Sequence, residues 1–256
     1  MKFAINHIKV DIVLPNYNSY PFIEETIKSI INQTFTNWEL FIVDGNSNNE
    51  TQKILKKYEK YENIKIIWLK KNKRAGFCRN LAIRKSKSRY VAFIDSDDIW
   101  EKDKLLKQLT FMEKNNYLFT YTNYSAFKNS NKSNDTKVIF PPALFSFEEF
   151  IKNTSIGTST MIIKKSSIGN VKFSNTKICE DYFFKCQILK RVNYAHCLPE
   201  SLTRYRIRKN SLQSKKIRNL YWIWHINKNY NHLSFIKNLL SVICISINSL
   251  KKYGFK

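Results

Sequence analysis

The chain has 256 residues and a mass of 30.5 kDa, enough for one large domain or two small lobes sharing a core. With 43% hydrophobic and 25% charged residues it can bury a real core, and five glycines and five prolines exclude collagen-like or linker-like designs. Forty-four Lys and Arg against twenty Asp and Glu give a formal charge of +24, which raises the question of a polyanionic partner without naming one.

In chain order, Val10–Leu14 is a β-branched and apolar run stopped by Pro15, which suits a buried strand. Pro21 with Glu24 and Glu25 marks a helix start, and Ile23, Ile27, Ile30 and Ile31 follow at helical spacing. Trp38–Val43 is the next strand, closed by the turn residues Asp44-Gly45-Asn46. A helix over 50–61, a strand over 64–69, a basic helix over 74–85, a strand over 90–94 and a helix over 102–115 continue the alternation. Strands apolar on both faces, separated by helices, predict a parallel sheet covered on both sides. Further on, 128–137 reads as a polar loop, Thr158–Ile163 and Leu202–Arg206 as strands, and Glu180–Arg191 as a helix. From Ser201 to Lys256 there are twelve basic and no acidic residues, interleaved with Trp222, Trp224 and the apolar-leaning stretch 235–250. That pattern fits either a helix lying on an anionic membrane surface or a helix packed on the domain with a solvated basic face.

Five cysteines without a C-x-x-C pair read as reduced thiols, and no secretory leader or 20-residue apolar span is present, so the expected location is cytoplasmic. In an open parallel sheet, ligands bind beyond the carboxyl ends of the strands. There lie Pro15-Asn16-Tyr17-Asn18, Asp44 and Asp95-Ser96-Asp97-Asp98. Neither G-x-G-x-x-G nor a P-loop occurs, so neither of these glycine-rich motifs serves phosphate binding. Three carboxylates in four residues repel one another unless a cation sits among them, and such oxygens suit Mg²⁺ or Mn²⁺ bridging a diphosphate. Asp98 with Glu101 also resembles a capping box for the following helix, which leaves Asp95 and Asp97 as the metal-type pair. Asp44 is a turn residue or an acceptor for a base N–H. Arg79 could meet phosphate, or belong to a solvated basic face. Asp181, in a first helical turn, is a dipole partner or a general base.

The ordered set Val10–Asn18, Val43-Asp44-Gly45, Gly76-Phe77-Cys78-Arg79-Asn80, Asp95–Asp98, Cys179–Phe183 and Tyr205–Leu212 resembles the family 2 glycosyltransferases, in particular bacterial enzymes of teichuronic-acid, capsule and O-antigen type. The resemblance implies a GT-A fold: a Rossmann-like α/β domain with a mostly parallel central sheet, helices on both faces and, here, a basic helical tail. It divides the chain into a nucleotide-sugar half (1–115), an acceptor and catalytic-base half (116–212) and the tail (213–256). It implies that Pro15, Tyr17 and Asp44 contact the nucleoside and that Arg79 lies near the base or diphosphate. Asp95 would face ribose and sugar, Glu180 would join the substrate-binding residues, Asp97 would hold Mn²⁺ or Mg²⁺, and Asp181 would be the base. The expected reaction is inverting transfer of one sugar from a nucleotide-sugar, UDP-linked by preference, to a hydroxyl of a lipid-linked glycan, peripherally at the inner membrane face. Two departures stand out: Cys78 replaces a usual alanine, and no Q-x-x-R-W follows Asp181, which argues against processive polymerisation.

Two rivals come from other classes. A haloacid-dehalogenase-like phosphatase also uses a strand ending in Asp-x-Asp, but there the motif ends the first strand and Thr or Val stands where this chain has Ile99. A nucleic-acid binder would exploit the +24 charge, yet the acidic 95–98 edge opposes a phosphate backbone and no recognition module is present, so no specific nucleic-acid partner is expected.

Overall fold

A computed structural model describes residues 5, 7–128, 137–208 and 216–253. Ten strands and nine α-helices follow one another along the described chain. The first half holds β1 (Val10–Asn16), α1 (Ile23–Ile31), β2 (Trp38–Asp44), α2 (Asn49–Lys56), β3 (Ile64–Trp68), α3 (Ala75–Lys85), β4 (Tyr90–Phe93), β5 (Ile99–Trp100) and α4 (Lys104–Asn115). The second holds β6 (Phe119–Phe127), β7 (Lys137–Ile139), β8 (Leu144–Phe145), α5 (Phe147–Phe150), β9 (Ile162–Lys164), α6 (Lys165–Ile168), α7 (Glu180–Val192), β10 (Ala195–Arg206), α8 (Lys216–Asn229) and α9 (Phe235–Tyr253).

One sheet runs through the molecule in the order β3-β2-β1-β4-β9-β6-β10-β5. The β3-β2-β1-β4 block is parallel throughout, as the alternating pattern requires. β9 then inserts antiparallel between β4 and β6, while β6 and β10 run parallel to each other. Successive residues of β1 point to opposite faces. Val13 joins a core formed with α3, α7, α8 and α9, whereas Ile12 and Leu14 join one formed with α1, α2 and α4. Both faces are therefore covered, which is why these strands carry no polar alternation.

Three expectations need correction. Pro15 does not stop β1; the strand continues to Asn16, paired with Asp44 on β2. Pro15 is tolerated because the ladder to β4 ends at Val13–Phe93, so its missing N–H faces a side with no strand partner. Thr158–Ile163 is not one strand: Thr158–Thr160 forms a 3₁₀ turn and only Ile162–Lys164 pairs. Asp98 does not cap a helix, because β5 intervenes and α4 starts at Lys104. The polar loop lies largely outside the described residues, as do residues 209–212 of the last sequence landmark.

Candidate active site at the carboxyl edge of the sheet

The tips of β1 and β2 are tied together first. Asn16 Nδ2 donates to Asp44 Oδ1 at 2.6 Å, and Ser47 donates to the same carboxylate from both its backbone N (2.9 Å) and its hydroxyl (2.6 Å). Gly45 N donates to Asn16 O at 2.8 Å. A Cβ on Gly45 would lie 3.2 Å from the Lys73 carbonyl and 3.3 Å from that of Asn16, so the close crossing selects glycine. Asp44 is fully buried and organises this turn, with Pro15 buried beside it and the Tyr17 ring half exposed at the strand tip.

Beyond β4 the three carboxylates separate into different roles. Asp95 Oδ1 accepts from Arg79 Nη2 at 2.6 Å. Asp97 Oδ2 forms an ion pair with Arg208 Nε at 2.7 Å. Asp98 is fully buried and accepts from the Ser159 hydroxyl at 2.5 Å and from Arg206 N at 2.9 Å. The mutual repulsion foreseen for this cluster is met by two arginines and by hydrogen bonds. Burial pushes the Asp97 carboxyl up, against the pull of Arg208, and burial with the charges of Asp97 and Asp95 pushes Asp98 well up.

Arg79 lies on α3 with its side chain only 6% exposed, and its other nitrogen, Nη1, donates to Glu180 Oε1 at 2.9 Å. Its guanidinium sits over the Phe173 ring, 5.1 Å from the centroid. Burial opposes the charge, but Asp95 and Glu180 outweigh it and raise the Arg79 pKa. This cation thus fastens the β4 loop to the start of α7 rather than lying on a solvated helix face. Gly76, one turn earlier on α3, allows the approach: a Cβ there would stand 2.9 Å from Glu180 Cγ and 3.1 Å from the Ser174 carbonyl.

Asp181, the next residue on α7, is partly exposed. Its Oδ2 accepts from Lys185 Nζ at 2.8 Å and from Thr158 Oγ1 at 3.2 Å, and Lys185 also donates to Thr158. Burial pushes the Asp181 carboxyl up, but the Lys185 ammonium overrides it and holds the pKa at about 2. Asp181 also lies close enough to Arg79 to perturb it, so the α7 acids and the β4 acids share one electrostatic neighbourhood.

Several site residues had no assigned role in the sequence. Ser159 accepts from Asp95 N while donating to Asp98, and its carbonyl accepts from Trp100 Nε1, so the 158–160 turn links the acidic loop to Asp181. Arg206 is buried, donates from Nε to the Asp97 carbonyl and from Nη2 to Glu25, and stacks near Phe22 and Phe127. Arg206 and Arg208 belong to the Tyr205–Leu212 landmark, which was the available signal. Lys185 offered only its i,i+4 spacing from Asp181, which is common on any helix.

For a cation, the described residues contain no group of three or more His, Cys, Asp or Glu side chains that forms a ready-made cage. The donor set nevertheless fits Mg²⁺ or Mn²⁺, which bind through one or two carboxylates and take their remaining oxygens from diphosphate and water. Asp97 would supply that carboxylate, with Arg208 released from Oδ2.

A sheet of this topology with its acids gathered at one carboxyl edge is the GT-A architecture. The solved structure of S. aureus TarS (residues 1–349) in complex with UDP-GlcNAc superposes with a TM-score of 0.72 at 19% identity, covering 95% of this chain and 73% of that one. Residues 11–175 match Glycosyl transferase family 2, and the chain belongs to that family. Among its relatives, the putative teichuronic acid biosynthesis glycosyltransferase TuaG of Bacillus subtilis is 34% identical over 95% of this chain and 96% of its own length. The Escherichia coli UDP-Glc:alpha-D-GlcNAc-diphosphoundecaprenol beta-1,3-glucosyltransferase WfgD is 32% identical over 96% of this chain and 95% of its own. The protein is a glycosyltransferase, and the phosphatase and nucleic-acid readings give way to that membership.

Proposed function

We propose that this glycosyltransferase moves one sugar from a UDP-sugar, with inversion at the anomeric carbon, to a hydroxyl of a lipid-linked glycan during assembly of a cell-surface polysaccharide. The relatives support the setting: TuaG is named for teichuronic acid, and WfgD for a UDP-glucose donor and a diphosphoundecaprenol-linked acceptor. The absence of Q-x-x-R-W after Asp181 favours single addition. The observation that carries the reading is the Arg79 bridge, which places Asp181 on α7 beside the acidic loop of β4.

In this reading Tyr17 stacks on the base and Pro15 lines its pocket, whose floor the buried Asp44 shapes by holding Asn16 and Ser47. Asp95 orients ribose and sugar, with Arg79 and Glu180 fixing its position. Asp181 is ionised throughout the neutral range because Lys185 and Thr158 hold Oδ2, which leaves Oδ1 to take the acceptor proton. As that proton moves, the acceptor oxygen attacks the anomeric carbon, the bond to the diphosphate oxygen breaks, and its electron pair leaves with the nucleoside diphosphate. Mn²⁺ or Mg²⁺ held by Asp97 would neutralise that leaving group.

Titration of UDP with and without Mn²⁺ tests the assignment. The wild-type chain should bind UDP more tightly with metal, and Asp97→Asn should erase the difference; a metal effect that survives in Asp97→Asn removes Asp97 from the role.

A further inference from the structure

The α8–α9 pair is built the wrong way round for a helix facing water. On α9 the polar Asn238 and Ser241 are buried, at 1% and 0% exposure, while Phe235 and Ile236 are 70% exposed and Leu240 is 50% exposed. Most of these buried polar groups are bonded: Asn238 Nδ2 donates to the Trp224 carbonyl at 3.1 Å, though its Oδ1 has no partner, and Ser241 donates to the Ile151 carbonyl at 2.5 Å. Asn227 of α8 donates to Ser241 and accepts from the Tyr182 hydroxyl, which fastens both helices to α7. The outward residues Phe235, Ile236, Leu239, Leu240, Ile243 and Ile247 fall on one arc of about 140° at 100° per residue. Lys251, exposed, lies just past one border of that arc, Lys237 lies further round and pairs with Glu148 at 3.6 Å, and Lys228 lines a cleft with Trp224 and Phe235 at its start.

We propose that this face of α9 seats the enzyme on an anionic lipid bilayer, the apolar arc entering the headgroup boundary while the flanking lysines meet lipid phosphates. Charge selects this occupant over a second copy of the chain. The chain as a whole carries a formal charge of +24, and the exposed Lys228 and Lys251 border this face, so a two-fold pairing of it would bring like charges together. A bilayer with acidic headgroups complements both the charge and the apolar arc. No helix among the described residues is long and apolar enough to cross the membrane, so seating is in the interface plane. The buried face of α9 stays packed on α8 and the domain, and only its outward apolar face is offered to the bilayer.

Flotation of the full chain with vesicles tests this without any reference to sugar transfer. The wild-type protein should float with phosphatidylcholine vesicles containing phosphatidylglycerol, float poorly with phosphatidylcholine alone, and lose binding as salt rises. The exposed substitutions Leu240→Glu with Ile243→Glu should cut the floated fraction roughly tenfold or more while leaving Tm and UDP binding unchanged. Equal flotation of variant and wild type overturns the proposal, as does a wild-type protein that stays with the pellet. A dimer in light scattering that the same substitutions dissociate, without vesicle binding, would reassign the face to self-association. Each of these outcomes leaves the reading of the catalytic edge intact.

Discussion

Asp97 and Asp98 beyond β4 and Asp181 at the start of α7 lie at one edge of one sheet, yet their environments push them in opposite directions. Burial raises the first two, and Arg208 against Asp97 only moderates the effect. Asp181 meets burial as well, but the buried ammonium of Lys185 at 2.8 Å reverses its sign and holds it at about 2. The difference lies in the partner, since burial alone favours the neutral acid. One cluster is thereby suited to receiving a cation, which would restore its charge, and the other stays charged without one.

The most damaging change to this division is Asp181→Asn. It should lower turnover roughly 10²–10⁴-fold while UDP binding, followed by thermal shift, persists. Unchanged turnover would take the base role from Asp181.

Next in size is Arg79→Met, which leaves Asp95 and Glu180 facing each other across α3 without their shared cation. Loss of one partner from a buried ion pair typically costs about 3 kcal/mol or more. The expected readout is a Tm fall of roughly 6 °C or more, and a smaller fall would show that solvent compensates the pair.

Lys185→Met sharpens the comparison by making the two acid sites alike. With the ammonium gone, the effect of burial on Asp181 is no longer overridden and its pKa should rise, so the acid limb of the kcat/KM profile moves to higher pH while the rate on the neutral plateau changes less. The same pair stabilises the fold when Asp181 is ionised. Because the folded pKa lies below the ordinary 3.8, that stabilisation is complete above 3.8 and fades as pH falls towards 2. An acid limb identical to that of the wild type would show that Lys185 does not tune this carboxylate.

The smallest effect is expected from Gly76→Ala. The new methyl would meet Glu180 Cγ at 2.9 Å, moving Glu180 off Arg79 at a cost of about 1–2 kcal/mol. Chemical denaturation gives the value directly, and the midpoint should move down without a change in slope.

The parallel block was legible because its code is local. The apolar runs at 10–14, 38–43, 64–69 and 90–94, separated by helical periodicity, are dictated by burial on both sheet faces, and the structure pairs all four. The acids at the strand tips were equally visible, since strand ends in such a sheet must lie at one edge. Ser159 and Thr158 were not: a Thr-Ser-Thr run next to Met-Ile-Ile has the composition of a strand, and only contact with Asp98 and Asp181 reveals a turn.

From residue order alone came the repeating strand–helix units, the acidic tips and the match to a glycosyltransferase pattern, because these depend on neighbours in the chain. Which charge meets which was decided in three dimensions. Arg79 reaches residues 16 and 101 positions away, Arg208 follows β10 and meets Asp97 from a distant part of the chain, and α9 turns its serine and asparagine inward. Long-range pairing and the sidedness of a helix follow from packing, and no local periodicity encodes them.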